Sequence, residues 1–257
     1  MSIEQQLDLD GQVAIVTGSS RGIGKAIAGG LARCGAQVII SSRSQDSCDE
    51  TAAEFEAEGL KAIAIACHVG KQEHRKALVE QVVNTFGRAD ILVNNAAVNP
   101  VYGPIEEVEA AVFDKIMDIN VKACWQLSNL VQPHMKKNNK GSIINIASVE
   151  GLKPGEGLGL YSTSKAALIM LTKSQAKEWG RYDIRANAIC PGLIKTKFSQ
   201  ALWKDDSVLG TIEKTLPSGR MGQPREMIGL ACLLASDAGS YMTGGIYTAD
   251  GGYMISG

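Results

Sequence analysis

The chain has 257 residues, of which 45% are hydrophobic, enough to bury one sizeable core and typical of a single α/β domain. Its 26 basic residues are balanced by 27 acidic ones, and the net charge of -1 gives no basic surface for a nucleic-acid backbone or an anionic membrane. The six cysteines are scattered, without a CxxC pair or a histidine at metal-ligand spacing. We therefore predict a cytoplasmic protein with reduced thiols, no metal site and no nucleic-acid partner.

The first twelve residues carry acids where a secretory signal carries lysines, and they contain no apolar run. No apolar stretch elsewhere approaches the roughly 20 residues that a membrane-spanning helix needs. The sequence therefore predicts a protein that is neither exported nor embedded in a membrane.

Short β-branched runs alternate with longer amphipathic segments along the chain. Seven runs are predicted as strands: Val13–Thr17, Val38–Ser41, Ala62–Ala66, Ile91–Asn94, Ser142–Ile146, Ala186–Ile189 and Ile246–Thr248. Six segments have helical periodicity: Gly24–Cys34, Gln45–Glu58, Glu73–Phe86, Val112–Met135, Ser162–Trp179 and Pro224–Ala235. This alternation predicts a doubly wound, Rossmann-like α/β fold, a seven-stranded parallel sheet with helices on both faces.

One domain is predicted to span residues 1–257, because no repeat, low-complexity tract or proline-rich linker divides the chain. Within it, residues 193–222 form a long, mixed segment that we expect to be poor in helix. We interpret this segment as a substrate lid.

A glycine-rich turn, Thr17-Gly18-Ser19-Ser20-Arg21-Gly22-Ile23-Gly24, lies between the first predicted strand and the first predicted helix. It lets backbone N–H groups approach a pyrophosphate, and the helix N-terminus behind it favours an anion. A Walker-type phosphate loop does not fit, since Ala26 stands where a Mg²⁺-binding hydroxyl is needed. An ordinary strand-to-helix turn is the alternative. We predict dinucleotide binding by six residues of this turn: Gly18, Ser20, Arg21, Gly22, Ile23 and Gly24.

The end of the second strand distinguishes the two nicotinamide dinucleotides. A carboxylate there would bind the ribose 2′-hydroxyl of NAD, but this chain has Ser41-Ser42-Arg43. Arg43 and Arg21 either hold the 2′-phosphate of NADP(H) through charge-assisted hydrogen bonds or point into solvent. We expect NADP(H) rather than NAD(H), with Ser42 and Arg43 among its contacts.

Tyr161 and Lys165 lie one helical turn apart at the start of a predicted helix. An unperturbed phenol has a pKa of about 10, and an ammonium about 4 Å away contributes roughly 4 kcal/mol at an effective dielectric of 20. This interaction predicts a pKa of Tyr161 lowered by up to about three, since one pKa unit corresponds to about 1.36 kcal/mol. Tyr161 is therefore a candidate general acid and base.

Together these motifs resemble the short-chain dehydrogenase/reductase family in its single-domain branch, from Gly11 to Tyr253. Family members carry the TGxxxGxG turn and, after the fourth strand, an NNAG segment whose last glycine is alanine here. The resemblance implies four catalytic residues, Asn120, Ser148, Tyr161 and Lys165. Ser148 is preferred over neighbouring serines because it lies 13 residues before Tyr161, the family's usual separation.

The same resemblance implies further cofactor contacts, by Asn94, Ala96, Tyr161, Lys165, Pro191, Gly192, Ile194 and Thr196. In the segment from Pro191 to Thr196, the backbone of Ile194 and the hydroxyl of Thr196 would hold the nicotinamide carboxamide. Where the family has an aspartate that contacts adenine, this chain has Cys67-His68-Val69. His68 and Val69 either replace that contact, or His68 is a polar residue at a strand end without a ligand.

Several segments, such as Ser42-Arg43, are most similar to NADP-dependent carbonyl reductases of the peroxisomal, retinal-reducing, tetrameric type. The last residues, Ile255-Ser256-Gly257, do not match an SKL-like import signal, so we expect the cytoplasm rather than the peroxisome. The resemblance implies a homotetramer or homodimer. Its contacts would come from Val112–Met135 and Ala166–Trp179, which are apolar enough to allow them.

The implied reaction interconverts a carbonyl and an alcohol by hydride transfer. Ser148 and Tyr161 would bind the carbonyl oxygen, Lys165 would bind the nicotinamide ribose, and Asn120 would anchor a water. An apolar wall predicts a small apolar ketone or aldehyde as substrate; it is drawn from Val98, Tyr102, and residues 149–160 and 198–203. Two alternatives stay open: a 3-oxoacyl reductase acting on acyl-carrier-protein or coenzyme A thioesters, and a non-catalytic NADP(H)-sensing regulator.

Overall fold

Seven parallel strands form one sheet in the order β3-β2-β1-β4-β5-β6-β7 in the computed structural model, which describes residues 2–256. The strands are β1 (Val13–Thr17), β2 (Gln37–Ser41), β3 (Ala62–Ala64), β4 (Ile91–Asn94), β5 (Gly141–Ile146), β6 (Ile184–Pro191) and β7 (Ile246–Ala249). The order reverses between β1 and β4, and ligands of such sheets bind outside the carboxyl ends of the strands at this point. The predicted doubly wound fold is confirmed.

Helices cover both faces of this sheet. They are α1 (Ile3–Leu7), α2 (Gly22–Arg33), α3 (Gln45–Ala57), α4 (Gln72–Phe86), α5 (Ala110–Met117), α6 (Ala123–Lys137), α7 (Gly159–Trp179), α8 (Asp206–Thr215) and α9 (Ile228–Ala235). The segment predicted as one helix over Val112–Met135 is α5 and α6 joined by a π-helical turn at Asp118–Lys122. Residues 193–222 contain α8, so the prediction of a helix-poor segment was wrong there.

The central strands are apolar on both faces because helices pack on each side. Ala14 and Val16 of β1 join the core cluster that includes Leu31 of α2. Val13 and Ile15 of the same strand join a second cluster on the opposite face, with helices α4 and α6. Burial on both sides explains why these strands are continuous apolar runs rather than alternating ones.

Strand β6 is longer than the apolar run that predicted it. It extends in both directions beyond Ala186–Ile189, because its first residues pair with β5 and its last residues pair with β7. Its polar side chains also bind the chain before β7. Asn187 Nδ2 donates to the carbonyl of Met242 at 2.6 Å, and Asn187 Oδ1 accepts the N–H of Gly245 at 3.0 Å. These bonds hold β7 against β6 at the edge of the sheet.

Among residues 2–256, no helix is long and apolar enough to cross a membrane. Within the same span, no group of three or more histidine, cysteine, aspartate or glutamate side chains is arranged to hold a metal ion.

Candidate active site

The glycine turn between β1 and α2 is fastened to the segment that follows β4. Asn95 Nδ2 donates to the carbonyls of Thr17 at 2.8 Å and Gly18 at 3.1 Å. In return, Thr17 Oγ1 accepts the N–H groups of Asn95 at 3.0 Å and Ala96 at 3.1 Å. The two loops at the switch point of the sheet therefore form one rigid unit.

Two glycines of this turn stand where no side chain fits. Gly18 has a φ of +66°, and a Cβ there would lie 3.1 Å from Cα of Ala96. At Gly24, a Cβ would lie 2.4 Å from Asn95 Nδ2 and 2.5 Å from the carbonyl oxygen of Gly18. The close approach of backbone to backbone leaves room for a pyrophosphate at the N-terminus of α2.

Of the two adjacent asparagines, Asn95 rather than Asn94 reaches the glycine turn. Asn94 is buried, and its Nδ2 donates to Asn145 Oδ1 at 2.8 Å and Ser128 Oγ at 3.3 Å. Its side chain therefore belongs to a polar network inside the protein, and a contact between Asn94 and a dinucleotide would have to use its backbone. The sequence prediction missed Asn95, although the NNAA segment contains it.

At the predicted adenosine end, Arg21 and Arg43 are exposed, and neither forms an ion pair within the described part of the chain. Ser42 is half-buried, with its N–H donated to Cys48 Sγ at 3.1 Å. Ser19 Oγ accepts the N–H of Ser41 at 2.8 Å and so joins the glycine turn to the end of β2. This edge combines fixed backbone with two free guanidinium groups.

His68 folds back onto its own turn, where Nδ1 accepts the N–H of Gly70 at 3.1 Å. Val69 is buried, and its carbonyl accepts a hydrogen bond from the guanidinium of Arg75, which is itself buried against Gln126. Sequence reasoning missed Arg75, because a charged residue on a helix is usually exposed. Arg75 fixes the turn that carries His68 and Val69.

Tyr161 and Lys165 lie on the first turns of α7, and Ser148 lies in the turn that follows β5. Lys165 is 2% exposed, and its Nζ donates to the carbonyl of Ile146 at 2.8 Å and lies 5.6 Å from the centroid of the Tyr161 ring. The Ser148 hydroxyl lies close enough to the Tyr161 phenol to act on its pKa. The structure thus brings together the serine, tyrosine and lysine that the sequence motifs predict.

The pKa of Tyr161 is raised rather than lowered. Burial of the phenol is the largest cause, the hydrogen bond from Ser148 opposes it, and the nearby Glu150 and Cys190 raise the pKa further. Burial also lowers the pKa of Lys165 to about 8. The predicted lowering by Lys165 was therefore wrong for this structure, because desolvation of the phenolate outweighs the attraction of a lysine that is itself desolvated.

Asn120 lies in the π-helical turn and is fully buried. Its Oδ1 accepts the N–H of Val98 at 2.9 Å, and its Nδ2 donates to the carbonyl of Val98 at 2.9 Å and to Ser164 Oγ at 3.0 Å. The amide therefore joins the segment after β4 to α7. With its side chain used in this way, Asn120 braces the site, and a water would have to bind its backbone carbonyl instead.

The predicted nicotinamide segment begins at the end of β6. Gly192 packs so closely on the chain after β7 that a Cβ there would lie 2.6 Å from Cα of Asp250. Ile194 is buried, and its neighbour Lys195 donates its N–H to the carbonyl of Gly222 at 2.9 Å. Thr196 Oγ1 lies 3.2 Å from Ser199 Oγ, so its hydroxyl contacts the turn that follows it, ahead of α8.

The predicted substrate wall is only partly assembled around Tyr161. The ring of Phe198 lies 6.1 Å from that of Tyr161, centroid to centroid, and is 59% exposed. Trp203 is half-buried and donates its indole N–H to the carbonyl of Thr196 at 2.9 Å. Tyr102 is exposed and lies against Gly157, whereas Val149 is buried in the core and does not line a wall.

Known proteins are similar to this chain in sequence and fold over nearly its whole length. A family model described as enoyl-(acyl carrier protein) reductase matches residues 18–254. A curated relative, dehydrogenase/reductase SDR family member 4 of Oryctolagus cuniculus, is 47% identical over 244 residues, which cover 95% of this chain and 94% of that protein.

Solved structures agree. The gluconate 5-dehydrogenase of Burkholderia cenocepacia, in complex with NADP and tartrate, superposes with a TM-score of 0.95 at 33% identity and full coverage of both chains. A 7α-hydroxysteroid dehydrogenase in complex with NADH and 7-oxo glycochenodeoxycholic acid gives a TM-score of 0.93 at 33% identity, covering 98% of each chain. The chain therefore belongs to the short-chain dehydrogenase/reductase family, nucleotide-dependent oxidoreductases that interconvert CH–OH and C=O groups.

Proposed function

We propose that the protein transfers a hydride between NADP(H) and the carbonyl carbon of a small apolar ketone or aldehyde, with Asn120, Ser148, Tyr161 and Lys165 around the reacting atoms. The observation that supports this best is the buried ammonium of Lys165, 5.6 Å from the centroid of the Tyr161 ring, with the Ser148 hydroxyl next to the phenol. A hydroxyl and a phenol that meet in this way can both donate to one carbonyl oxygen.

In the reductive direction, Ser148 and Tyr161 hold the carbonyl oxygen while negative charge develops on it. Tyr161 then gives up its proton to that oxygen. A raised pKa suits this role because the phenol is still protonated at neutral pH when the alkoxide forms. When bound, the dinucleotide supplies or accepts the hydride at its nicotinamide ring.

Lys165 and Asn120 are buried, and they support the reaction of Ser148 and Tyr161. Lys165 Nζ has two donors left after its bond to the Ile146 carbonyl, which suits binding of the nicotinamide ribose hydroxyls. Asn120 ties α7 to the segment after β4 and so keeps Tyr161 and Lys165 in register with the glycine turn.

NADP(H) fits the residues at the carboxyl edge of the sheet. The turn around Gly18 and Gly24 is a cradle that a Cβ would fill, and Arg21 and Arg43 are exposed without an ion-pair partner in the described chain. Guanidinium groups bind phosphate through paired, charge-assisted hydrogen bonds. The NADP complex of the gluconate 5-dehydrogenase supports this choice, and the NADH complex of the hydroxysteroid dehydrogenase makes NAD(H) the alternative.

A panel of carbonyl compounds tests the proposal. NADPH oxidation is followed with aromatic ketones, α-dicarbonyls, retinal, 5-ketogluconate and acetoacetyl-CoA, with NADH in parallel. We expect turnover that prefers NADPH and that falls by roughly 10²- to 10⁴-fold in Tyr161→Phe, because the phenol supplies the proton. NADPH binding, measured by fluorescence, should be retained in the variant.

The same panel separates the alternatives. Preference for acetoacetyl-CoA would favour a 3-oxoacyl reductase. The matching family model is described as an enoyl-(acyl carrier protein) reductase, which is a further reason to include this thioester. Preference for 5-ketogluconate would replace the apolar substrate with a polar one. NADPH binding without turnover of any compound would contradict the proposed reaction and favour a non-catalytic sensor.

A further inference from the structure

A buried carboxylate that the proposed reaction does not use stands next to the site. Glu150 lies in the short 3₁₀ turn Val149–Gly151, two residues after Ser148, and is 7% exposed. It forms no ion pair within residues 2–256. A glutamate buried without a cation is costly unless neutral donors satisfy it, so its presence calls for a reason.

Donors from two separate segments bind this carboxylate. Glu150 Oε2 accepts the N–H of Gly155 at 2.5 Å and the hydroxyl of Ser162 at 3.2 Å. Burial and the nearby Glu150 raise the pKa of the phenol of Tyr253, which lies near the end of the chain. Glu150 therefore joins the loop before α7 to the first turn of α7, next to the C-terminal segment.

The loop before α7 closes directly onto the carboxylate. A Cβ at Gly155 would lie 2.7 Å from Glu150 Oε2, so the backbone approaches as closely as glycine allows. This loop belongs to the predicted substrate wall, and the backbone N–H of Glu150 donates to Ser148 Oγ at 3.1 Å. One residue thus contacts a proposed catalytic hydroxyl and the loop that would face the substrate.

The charge of Glu150 also acts on Tyr161. Four groups act on the phenol: Ser148 and Glu150 from the turn after β5, Lys165 from α7, and Cys190 from β6. From residues 193–222, the ring of Phe198 packs against it. Burial raises the pKa of the Cys190 thiol to about 11, so that group is neutral at physiological pH. Glu150 is then the only anion in this set, and its charge disfavours the phenolate.

The groups that face Glu150 itself are few. Ser162 and Tyr161 approach from α7 and Tyr253 from the C-terminal segment. Lys153, on the loop before α7, lies 6.0 Å from the centroid of the Tyr253 ring and donates to the carbonyl of Ser256 at 3.2 Å. Neither Lys153 nor Lys165 forms an ion pair with the carboxylate in the described part of the chain.

We propose that Glu150 is a positioning residue of this active site: its buried carboxylate fastens the loop before α7 to the first turn of α7, beside Ser148 and next to the C-terminal segment that carries Tyr253. This inference rests on the proposed function of Tyr161. It makes Glu150 a determinant of the pH range over which the enzyme reduces carbonyls.

Glu150→Gln tests the charge, since the amide has nearly the same shape and still offers an oxygen. Removing the anion lowers the pKa of Tyr161. Reduction needs the protonated phenol, so its alkaline decline in kcat should move to lower pH by about one unit. Oxidation needs the phenolate, so its acidic rise should move to lower pH as well. Glu80→Gln, the same change at an exposed position on α4, should leave both profiles where they are.

Tyr253→Phe and Gly155→Ala test the fastening. Tyr253→Phe removes the phenol hydroxyl next to the carboxylate and keeps the charge of Glu150, so KM for the carbonyl substrate should rise severalfold while the pH profile of kcat stays in place. Gly155→Ala pushes the loop away from the carboxylate and should raise the same KM. These two variants also test the proposal if Glu150→Gln does not fold.

Coincident pH profiles of Glu150→Gln and the wild type would overturn the role of the charge, and an unchanged KM in both other variants would overturn the fastening. Failure of the proposed function looks different. In that case Tyr161→Phe would retain turnover, whereas a failure of this inference alone leaves Tyr161→Phe inactive and the Glu150→Gln profiles unmoved.

Discussion

Arg21 and Arg43 are the residues on which the expected preference for NADP(H) depends. Both are exposed at the carboxyl edge of the sheet, next to the half-buried Ser42 and the glycine turn. The N–H of Ser42 is already bonded to Cys48, so this end of β2 is held in one conformation. A charged hydrogen bond is worth about 1.5–3 kcal/mol, which is about a 10- to 100-fold change in affinity.

Arg43→Ala is therefore expected to raise KM for NADPH by about 10- to 100-fold and to leave KM for NADH nearly unchanged, since NADH has no 2′-phosphate. Steady-state kinetics with the two cofactors measures this. Arg33→Ala, at the opposite end of α2 and paired with Glu58, is the matched control and should change neither value. An equal rise for NADPH and NADH would contradict the assignment of Arg43 to the 2′-phosphate.

Residue identities were predictable from spacing, whereas their environments were not. The four-residue separation of Tyr161 and Lys165 places them together on any helix, and the structure confirms that placement. The direction of the tyrosine pKa depends on desolvation by residues far away in sequence, so the pairwise argument gave the wrong sign. Asn94 and Asn95 are adjacent, and only tertiary contacts reveal which of them reaches the glycine turn.

At the scale of elements, the start of α2 is the most tightly constrained junction of the fold. Gly24→Ala would place a methyl group 2.4 Å from Asn95 Nδ2 and 2.5 Å from the Gly18 carbonyl. Both atoms hold the glycine turn in place, so the turn would have to open to make room for the methyl group. We expect NADPH to bind at least about tenfold more weakly and unfolding to occur at lower temperature, because backbone cannot yield as a flexible side chain does.

A matched alanine on α9 provides the control. Nothing lies within 4 Å of a Cβ at Gly229, and its φ is not positive. Gly229→Ala should therefore leave cofactor affinity unchanged and raise the free energy of unfolding by up to about 1 kcal/mol, the helix propensity of alanine over glycine. Calorimetry and fluorescence titration measure both variants, and equal cofactor affinity in the two would contradict the role of Gly24.

Elements with a strong apolar period were predictable, and those shaped by polar contacts were not. Strands β1 and β4 match their predicted ranges, because both are buried runs bounded by polar residues. The π-helical turn at Asp118–Lys122 keeps a helical period and differs only in its hydrogen bonds, so the sequence showed one long helix. Helix α8 was missed because Asp206–Thr215 lies in a segment that mixes polar, apolar and glycine residues.

At the scale of the whole molecule, helices α6 and α7 expose apolar side chains. Trp125 is 45% exposed and Met170 60% exposed, and both helices are long. We expect these faces to meet their counterparts in a second copy, giving a homodimer or homotetramer, because closed symmetric assembly uses the same patch twice. A charge at such a patch appears on both sides of the interface.

Trp125→Glu should therefore shift the protein to a smaller species in analytical ultracentrifugation. Ile3→Glu, at an exposed position on α1, is the control and should sediment like the wild type. A wild-type protein that sediments as a monomer would contradict the predicted assembly, as would a Trp125→Glu variant that keeps the size of the wild-type oligomer.

The central claim is hydride transfer from NADPH to a carbonyl carbon, and isotope transfer tests it most directly. The best substrate of the panel is reduced with NADPH that carries deuterium at C4 of the nicotinamide, in each of its two stereochemical forms, and the alcohol is examined by mass spectrometry. We predict that one form delivers its deuterium to the carbinol carbon and that the other delivers hydrogen. Reduced product without deuterium from either form would contradict the claim.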